Sequence, residues 1–261
     1  MALQTRQSEA FDICLTDDPV VQNTTRGLSR VRRLWTAGQT IAICFVGGTD
    51  GQKKFVQRVA SMWLPFANLH FDFNATVAES EVRISFEEGQ GSWSFLGTDA
   101  RGVPKERATM NFGWLPDSPS YRSHRGVVLH EFGHMLNLSH EHQSPRNHLT
   151  WNEEKIIADM KRRGWEEDKT RGNILNRVKM ADDLIVSDHF DTESVMSYSF
   201  PASWNLEGIA VKRSSDLSRE DRRIIEEMYP FDEQSRQGNL SRRWQKIKVQ
   251  LLTLLGRGSC L

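Results

Sequence analysis

The stretch HEFGHMLNLSHEH, from His130 to His142, constrains this 261-residue chain more than any other. Residues four apart on an α-helix face the same way, so His130 and His134 can present imidazole nitrogens to one metal ion. A hydrolytic zinc site usually has three protein ligands. His140 can be the third only if the helix ends soon after His134, because a continuous helix would carry it about 9 Å further along the axis. The stretch therefore predicts a helix, a turn and a returning ligand.

Asn137 lies where this turn is required. A reversal at a helix end usually needs a residue with positive φ, which glycine adopts without strain and asparagine tolerates best among the others. Glu131 follows the first histidine, and its carboxylate can reach a water molecule on the metal, where it would act as general base. The alternative is an ordinary helix, because a bare H-E-x-x-H match also occurs by chance.

Composition excludes several classes of protein. Lys and Arg together number 34, as do Asp and Glu, so the net charge does not suggest a nucleic-acid partner. No apolar run is long enough for a transmembrane segment, and the N-terminal residues lack the apolar core of a signal peptide. The three cysteines, Cys14, Cys44 and Cys260, are too sparse for a disulfide framework and favour a reducing compartment or a truncated leader.

Hydrophobic periodicity predicts an α+β chain. A strand (TIAICFVGG), a helix (GQKKFVQRVASMWLP) and four short strands (LHFDF, EVRISF, GSWSFLG, TMNFGWL) precede the histidine helix, which should begin near Ser123. Beyond it, Thr150 and Glu153 have the spacing of a capping box. Residues 164–187 look irregular, and Ser218 should open a last helix that ends before Pro230.

The two ends of the chain each allow two interpretations. Residues 1–29 are either an arm or pro-segment, or a disordered extension. Residues 231–261 predict a basic amphipathic helix, which would lie on a membrane surface or a partner, or dock on its own domain.

The spacing H-E-x-x-H-x-x-N-x-x-H, together with SVMSY at Ser194–Tyr198, resembles the zinc signature and Met-turn of the metzincins. With HEH at 140–142, the chain looks most like the astacin family of zinc endopeptidases, and the likeness covers residues 30–230. It implies a twisted mixed sheet with helices above the active-site helix (residues 30–137). A more irregular C-terminal subdomain (residues 138–230) would lie below that helix.

The resemblance also implies roles for individual residues. Peptide bonds would be hydrolysed by a zinc-bound water, with Glu131 as general base. Met196 would form the apolar floor under the metal, and Tyr198 would be a switchable ligand that also donates to the oxyanion. The ligands of the single Zn²⁺ would be His130, His134 and His140. An edge strand that pairs with an extended peptide substrate would contain Ser92, Trp93, Ser94 and Phe95.

The resemblance raises the question of activation. In the family, the glutamate after the third histidine, here Glu141, receives the new N-terminus, which would follow cleavage near Arg26. Before cleavage, Cys14 or an acidic residue of the stretch TDDP that follows it would occupy the open zinc position. Asn137 and Ser197 depart from the family's glycine and histidine, and its disulfides cannot form. The absent signal peptide suggests an intracellular protein, whereas the family suggests a secreted one.

Two other functions remain open from the sequence. One is a zinc-structured peptide-binding module without catalysis, and the other is a zinc hydrolase of non-protein amides. A monomer is expected in each case.

Overall fold

A computed structural model describes residues 31–179 and 185–232 of the chain. Within them, five strands form one mixed sheet: β1 (Thr40–Phe45), β2 (His70–Asp72), β3 (Val82–Ser85), β4 (Ser92–Ser94) and β5 (Met110–Phe112). The helices are α1 (Asp50–Ala60), α2 (Tyr121–Met135), α3 (Glu153–Lys161), α4 (Glu167–Thr170) and α5 (Arg219–Met228). The α+β class expected from the sequence is confirmed.

The strand order in the sheet is β2-β1-β3-β5-β4. The first four strands in this order run parallel, and β4 pairs antiparallel with β5 in the register Ser92↔Phe112 and Ser94↔Met110. The strand predicted from GSWSFLG is therefore at an edge of the sheet, where it can pair with an added strand.

The sheet packs against α2, which carries the histidines. The Phe132 ring of α2 lies 5.6 Å from Phe71 and 6.5 Å from Phe112, measured between ring centroids, and so joins the helix to two strands. On the same helix, the Leu129 carbonyl accepts a hydrogen bond from Nε1 of Trp63 at 3.2 Å. These contacts fix the distance of α2 from the sheet and its rotation about the helix axis.

Two sequence predictions for the second half of the chain are wrong in detail. The cap of α3 is Asn152, whose side chain accepts from the Lys155 N–H, and not Thr150. The backbone N–H of Thr150 instead donates to the Glu207 carboxylate at 2.9 Å. The segment 164–187 is partly regular, because α4 continues into a π-helical turn at Arg171–Leu175.

The prediction for α5 is confirmed. Ser218 accepts from the Asp221 N–H, and the Asp221 carboxylate accepts from the Ser218 N–H, which is a capping box. The helix ends at Met228, before Pro230.

Two hydrophobic clusters form the core of the described residues. The larger one unites the sheet, α1 and α2 with the Met-turn and α5, and the smaller one surrounds Ile156, Met160 and Trp204. The division of residues 30–230 after residue 137 stays a prediction. The suggested arm at residues 1–29 lies outside the described residues, as does all but the first two residues of the tail at 231–261. Among the described helices, none is long and apolar enough to cross a membrane.

Candidate metal centre

The histidine helix ends in the turn that its spacing requires. Helix α2 is capped by Ser120 and ends at Met135. Asn137 follows with φ of 73°, the only positive φ among the described residues other than glycine. The N–H of Asn137 donates to the His134 carbonyl at 2.7 Å, and that of Leu138 donates to the Gly133 carbonyl at 2.8 Å. The left-handed turn predicted at Asn137 is therefore present.

The turn brings three histidines together. His130, His134 and His140 each offer a nitrogen, and these atoms lie within 4.8 Å of one another. The Nε2 atoms of His134 and His140 are 3.1 Å apart. Two ligands of a tetrahedral ion with bonds of about 2.0–2.1 Å would be separated by about 3.3 Å, so this spacing suits zinc.

In two of these histidines, the other ring nitrogen is held by a backbone carbonyl. Nδ1 of His130 lies 2.7 Å from the Val195 carbonyl, and Nδ1 of His134 lies 2.7 Å from the Leu138 carbonyl. A carbonyl only accepts, so each Nδ1 carries the proton and each Nε2 is left with a lone pair. Nε2 of His130 is buried and has no hydrogen-bond partner among the described residues. A metal ion would satisfy it.

Burial keeps the imidazoles of His130 and His134 neutral, as metal ligands must be. It lowers the pKa of His134 to about 4, and it lowers the pKa of His130 well below the ordinary value, with the nearby His134 adding to the effect. Glu131 follows His130 on α2 and is fully buried. The donor set, its burial and its protonation state fit one zinc ion.

Met196 lies against the active-site helix. A Cβ atom on Gly133 would come within 2.3 Å of the Met196 sulfur, so only glycine allows this close approach. The carbonyl of Met196 accepts from the N–H of Glu141 at 3.1 Å, which ties the Met-turn to the segment after the third histidine. Met196 is thus buried beside α2, and its role as the floor under a metal stays a prediction.

Tyr198 is buried among the histidines. Its ring centroid lies 4.2 Å from that of His140 and 6.4 Å from that of His130. On its other side, the ring of His142 stacks at 4.3 Å with an angle of 25° between the planes. His142 is held by the Asn173 carbonyl, 2.8 Å from its Nε2. Sequence reasoning gave His142 no role, and its contact with Tyr198 appears only in the fold.

Asp221 is a second residue whose contacts at the site the sequence did not reveal. Its carboxylate accepts from the Ser194 hydroxyl at 2.7 Å and from the Val195 N–H at 2.9 Å. Since Val195 also holds His130, Asp221 supports the first histidine through the Met-turn. The only signal in the sequence was its spacing from Ser218, which indicated a helix cap.

Glu141, which follows the third histidine, is buried. It accepts hydrogen bonds from the Ser187 hydroxyl at 2.8 Å and from the Asp191 N–H at 3.1 Å. Burial raises the pKa of Glu141 to about 8. Cys14, the other residue suggested for activation, lies outside the described residues.

Of the four residues expected to meet a substrate, Ser92, Trp93 and Ser94 form the edge strand β4, and Phe95 follows directly after it. The N–H of Phe95 donates to the Thr109 carbonyl at 3.0 Å. In an antiparallel pair of strands, residues that exchange hydrogen bonds with the partner strand alternate with residues that do not. The N–H and C=O groups of Ser92 and Ser94 therefore point away from β5. The rings of Trp93 and Phe95 contact each other edge to face at 6.1 Å.

Solved structures of known proteins share this fold. Myroilysin is 32% identical to the chain, with a TM-score of 0.74 over 79% of this chain and 100% of that chain. The chain belongs to the astacin family of zinc metallopeptidases. It is therefore a metalloprotease with a metzincin fold. A second structure of myroilysin matches at 30% identity and a TM-score of 0.63, covering 85% of this chain and 93% of that one.

A more distant astacin-like structure shows the fold alone. It is high choriolytic enzyme 1, a hatching-enzyme zinc-protease from the medaka fish Oryzias latipes, at 15% identity and a TM-score of 0.54. The match covers 80% of this chain and 100% of that one. No protein-family model matches the sequence, and no curated protein matches it either.

Proposed function

We propose that this metalloprotease is a zinc-dependent endopeptidase that uses Glu131 as its general base. The observation that carries the proposal is the convergence of three buried imidazoles, with Glu131 buried next to the first. Zinc held by these imidazoles would act as a Lewis acid, which would lower the pKa of a water molecule and polarise a carbonyl.

The protein's own residues supply the remaining chemistry. Glu131 takes the proton of the attacking water and passes it to the leaving amine. The Tyr198 hydroxyl donates to the oxyanion that develops on the substrate carbonyl, which favours the transition state over the substrate. His130, His134 and His140 are the proposed zinc ligands, with Met196 as the apolar floor.

The substrate would be an extended peptide. Its backbone would pair with β4, the strand at the edge of the sheet, as in strand addition. Main-chain pairing holds a peptide without demanding a particular side chain. Trp93 on this strand and Phe95 directly after it would limit which substrate side chains fit along the edge.

The test is cleavage of a peptide blocked at both ends, which an exopeptidase cannot use. We expect cleavage that a chelator abolishes and added zinc restores. Glu131→Gln should keep its zinc, measured by metal analysis, and lose turnover, whereas the exposed Glu154→Gln should behave as wild type. Full activity in Glu131→Gln would refute the mechanism. Peptide binding with zinc but without cleavage would instead identify a binding module, and cleavage confined to non-protein amides would identify an amide hydrolase.

Activation by loss of the N-terminal residues is part of the proposal. The new N-terminus would approach Glu141, and Cys14 would block the metal beforehand. Removal of residues 1–26 should then raise activity, and Cys14→Ser should raise the activity of the full chain. Equal activities of the three proteins would refute this step and leave the endopeptidase proposal intact.

A further inference from the structure

The turn that delivers the third zinc ligand is held by two aromatic side chains from opposite ends of the described chain. Nε1 of Trp35 donates to the Met135 carbonyl at 2.8 Å. The hydroxyl of Tyr229 donates to the Leu136 carbonyl at 3.0 Å. The last carbonyls of any helix have no hydrogen-bond donor within the helix. Here two side chains supply the donors for two of these carbonyls.

All the groups involved are shielded from water. Trp35 is 2% exposed and Tyr229 is 0% exposed, and the residues that carry the two carbonyls are equally buried. Burial raises the pKa of the Tyr229 hydroxyl, which therefore keeps the proton that it donates. A buried carbonyl that loses its donor must either stay unsatisfied or turn towards another partner.

Of these two responses, rotation of the carbonyl towards another partner is the one that would affect the metal site. The peptide after Leu136 enters Asn137 with positive φ, and the Leu138 carbonyl accepts from Nδ1 of His134. The same short segment therefore orients the second histidine and starts the path to His140. A rotation of the Leu136 peptide would move both.

We infer that Trp35 and Tyr229 are positioning residues for the zinc site, acting through the Met135 and Leu136 carbonyls on the turn at Asn137. The inference rests on the proposed function, because it assumes that zinc binds to the three histidines. Neither residue contacts a histidine of the site in the hydrogen bonds described, so neither is a ligand or a catalytic group.

The test compares substitutions that remove one donor each. Tyr229→Phe removes a single oxygen, and Trp35→Phe keeps an aromatic face for Arg101, whose guanidinium lies 4.9 Å from the Trp35 ring. The matched controls are Tyr121→Phe, on the surface end of α2, and Trp204→Phe. Trp204 is also 2% exposed and donates from Nε1 to Asp159 at 2.8 Å, but it belongs to the smaller hydrophobic cluster.

The measurements are the zinc dissociation constant, by competition with a chelator, and the visible absorption spectrum of the cobalt-substituted protein. We expect Tyr229→Phe and Trp35→Phe to weaken zinc binding by about three- to tenfold and to alter the cobalt spectrum. The controls should leave both unchanged. The melting temperature of the metal-free protein is recorded for every variant.

Two kinds of failure are distinguishable. If Tyr229→Phe lowers the melting temperature but leaves zinc affinity and the cobalt spectrum unchanged, its role is only structural and the inference is wrong. His140→Ala tests the underlying site: if wild type binds no zinc, or His140→Ala binds it as tightly as wild type, the proposed function fails instead. Should Trp35→Phe not fold, the nearly isosteric Tyr229→Phe still decides the outcome.

Discussion

His130 and Asp221 are joined through one residue, Val195. Its carbonyl lies 2.7 Å from Nδ1 of His130, and its N–H donates to the Asp221 carboxylate at 2.9 Å. The carboxylate also accepts from Ser194 and caps α5 through Ser218. The position of the first histidine therefore depends on a helix that is about 90 residues away in sequence.

Removing this carboxylate should weaken metal binding. Loss of the group that holds a metal-ligating histidine typically lowers metal affinity by about 10- to 100-fold, and because Asp221 acts one step further away, through Val195, we expect a loss at the lower end of that range for Asp221→Ala. Ser218→Ala is the control, because it removes the helix cap, at about 1 kcal/mol, and leaves the bond from Val195 to Asp221. Zinc competition and unfolding of both variants check this, and equal zinc affinities would contradict it.

The stability of the metal-free protein should carry a pH-dependent contribution from Asp221. Burial raises the pKa of this carboxyl, and the Asp191 charge adds to the rise. The folded state thus keeps a proton that the unfolded chain loses at about pH 3.9. The stability due to that proton is complete below this pH and disappears as the pH rises through the folded pKa.

The comparison that isolates this contribution is wild type against Asp221→Asn, which cannot titrate. Their difference in free energy of unfolding should move in favour of the variant as the pH rises above about 4. Denaturant titrations at several pH values measure it. A difference that does not vary with pH would show that the two states bind this proton equally.

Substitutions at Asn137 should separate backbone conformation from side-chain chemistry. With φ at 73°, Asn137→Gly should keep the turn and the zinc site. Asn137→Val should lose about 1–3 kcal/mol of stability and bind zinc less tightly, because a β-branched residue resists this conformation. Zinc affinity and denaturant unfolding test both variants. Normal zinc binding by the valine variant would show that the turn is not essential.

Loss of the Tyr198 hydroxyl should slow turnover. Tyr198→Phe keeps the ring between His140 and His142, so zinc and substrate should still bind. Removing one donor to an oxyanion typically costs about 10²- to 10³-fold in kcat, and we expect a loss of that order with little change in KM. Steady-state kinetics against Tyr121→Phe provide the test. An unchanged kcat would assign the oxyanion to another donor.

The sequence alone determined the features that depend on neighbouring residues. The four-residue spacing of His130 and His134 follows from the helix repeat, and the need for a reversal before His140 follows from the rise per residue. The choice of Asn137 for that reversal follows from which residues tolerate positive φ. The local spacing pattern was wrong about the cap of α3. Asn152 rather than Thr150 caps this helix, and the backbone N–H of Thr150 donates to Glu207 instead.

Only the tertiary structure decided which distant groups support the site. Trp35 and Met135 are 100 residues apart, and Tyr229 and Leu136 are 93 apart, yet each pair shares a buried hydrogen bond. A spacing pattern cannot reveal such bonds, because they form when the core brings together segments with no periodic relation. The sequence therefore placed the histidines and the turn, and the packing of the core brought Trp35 and Tyr229 to the carbonyls of that turn.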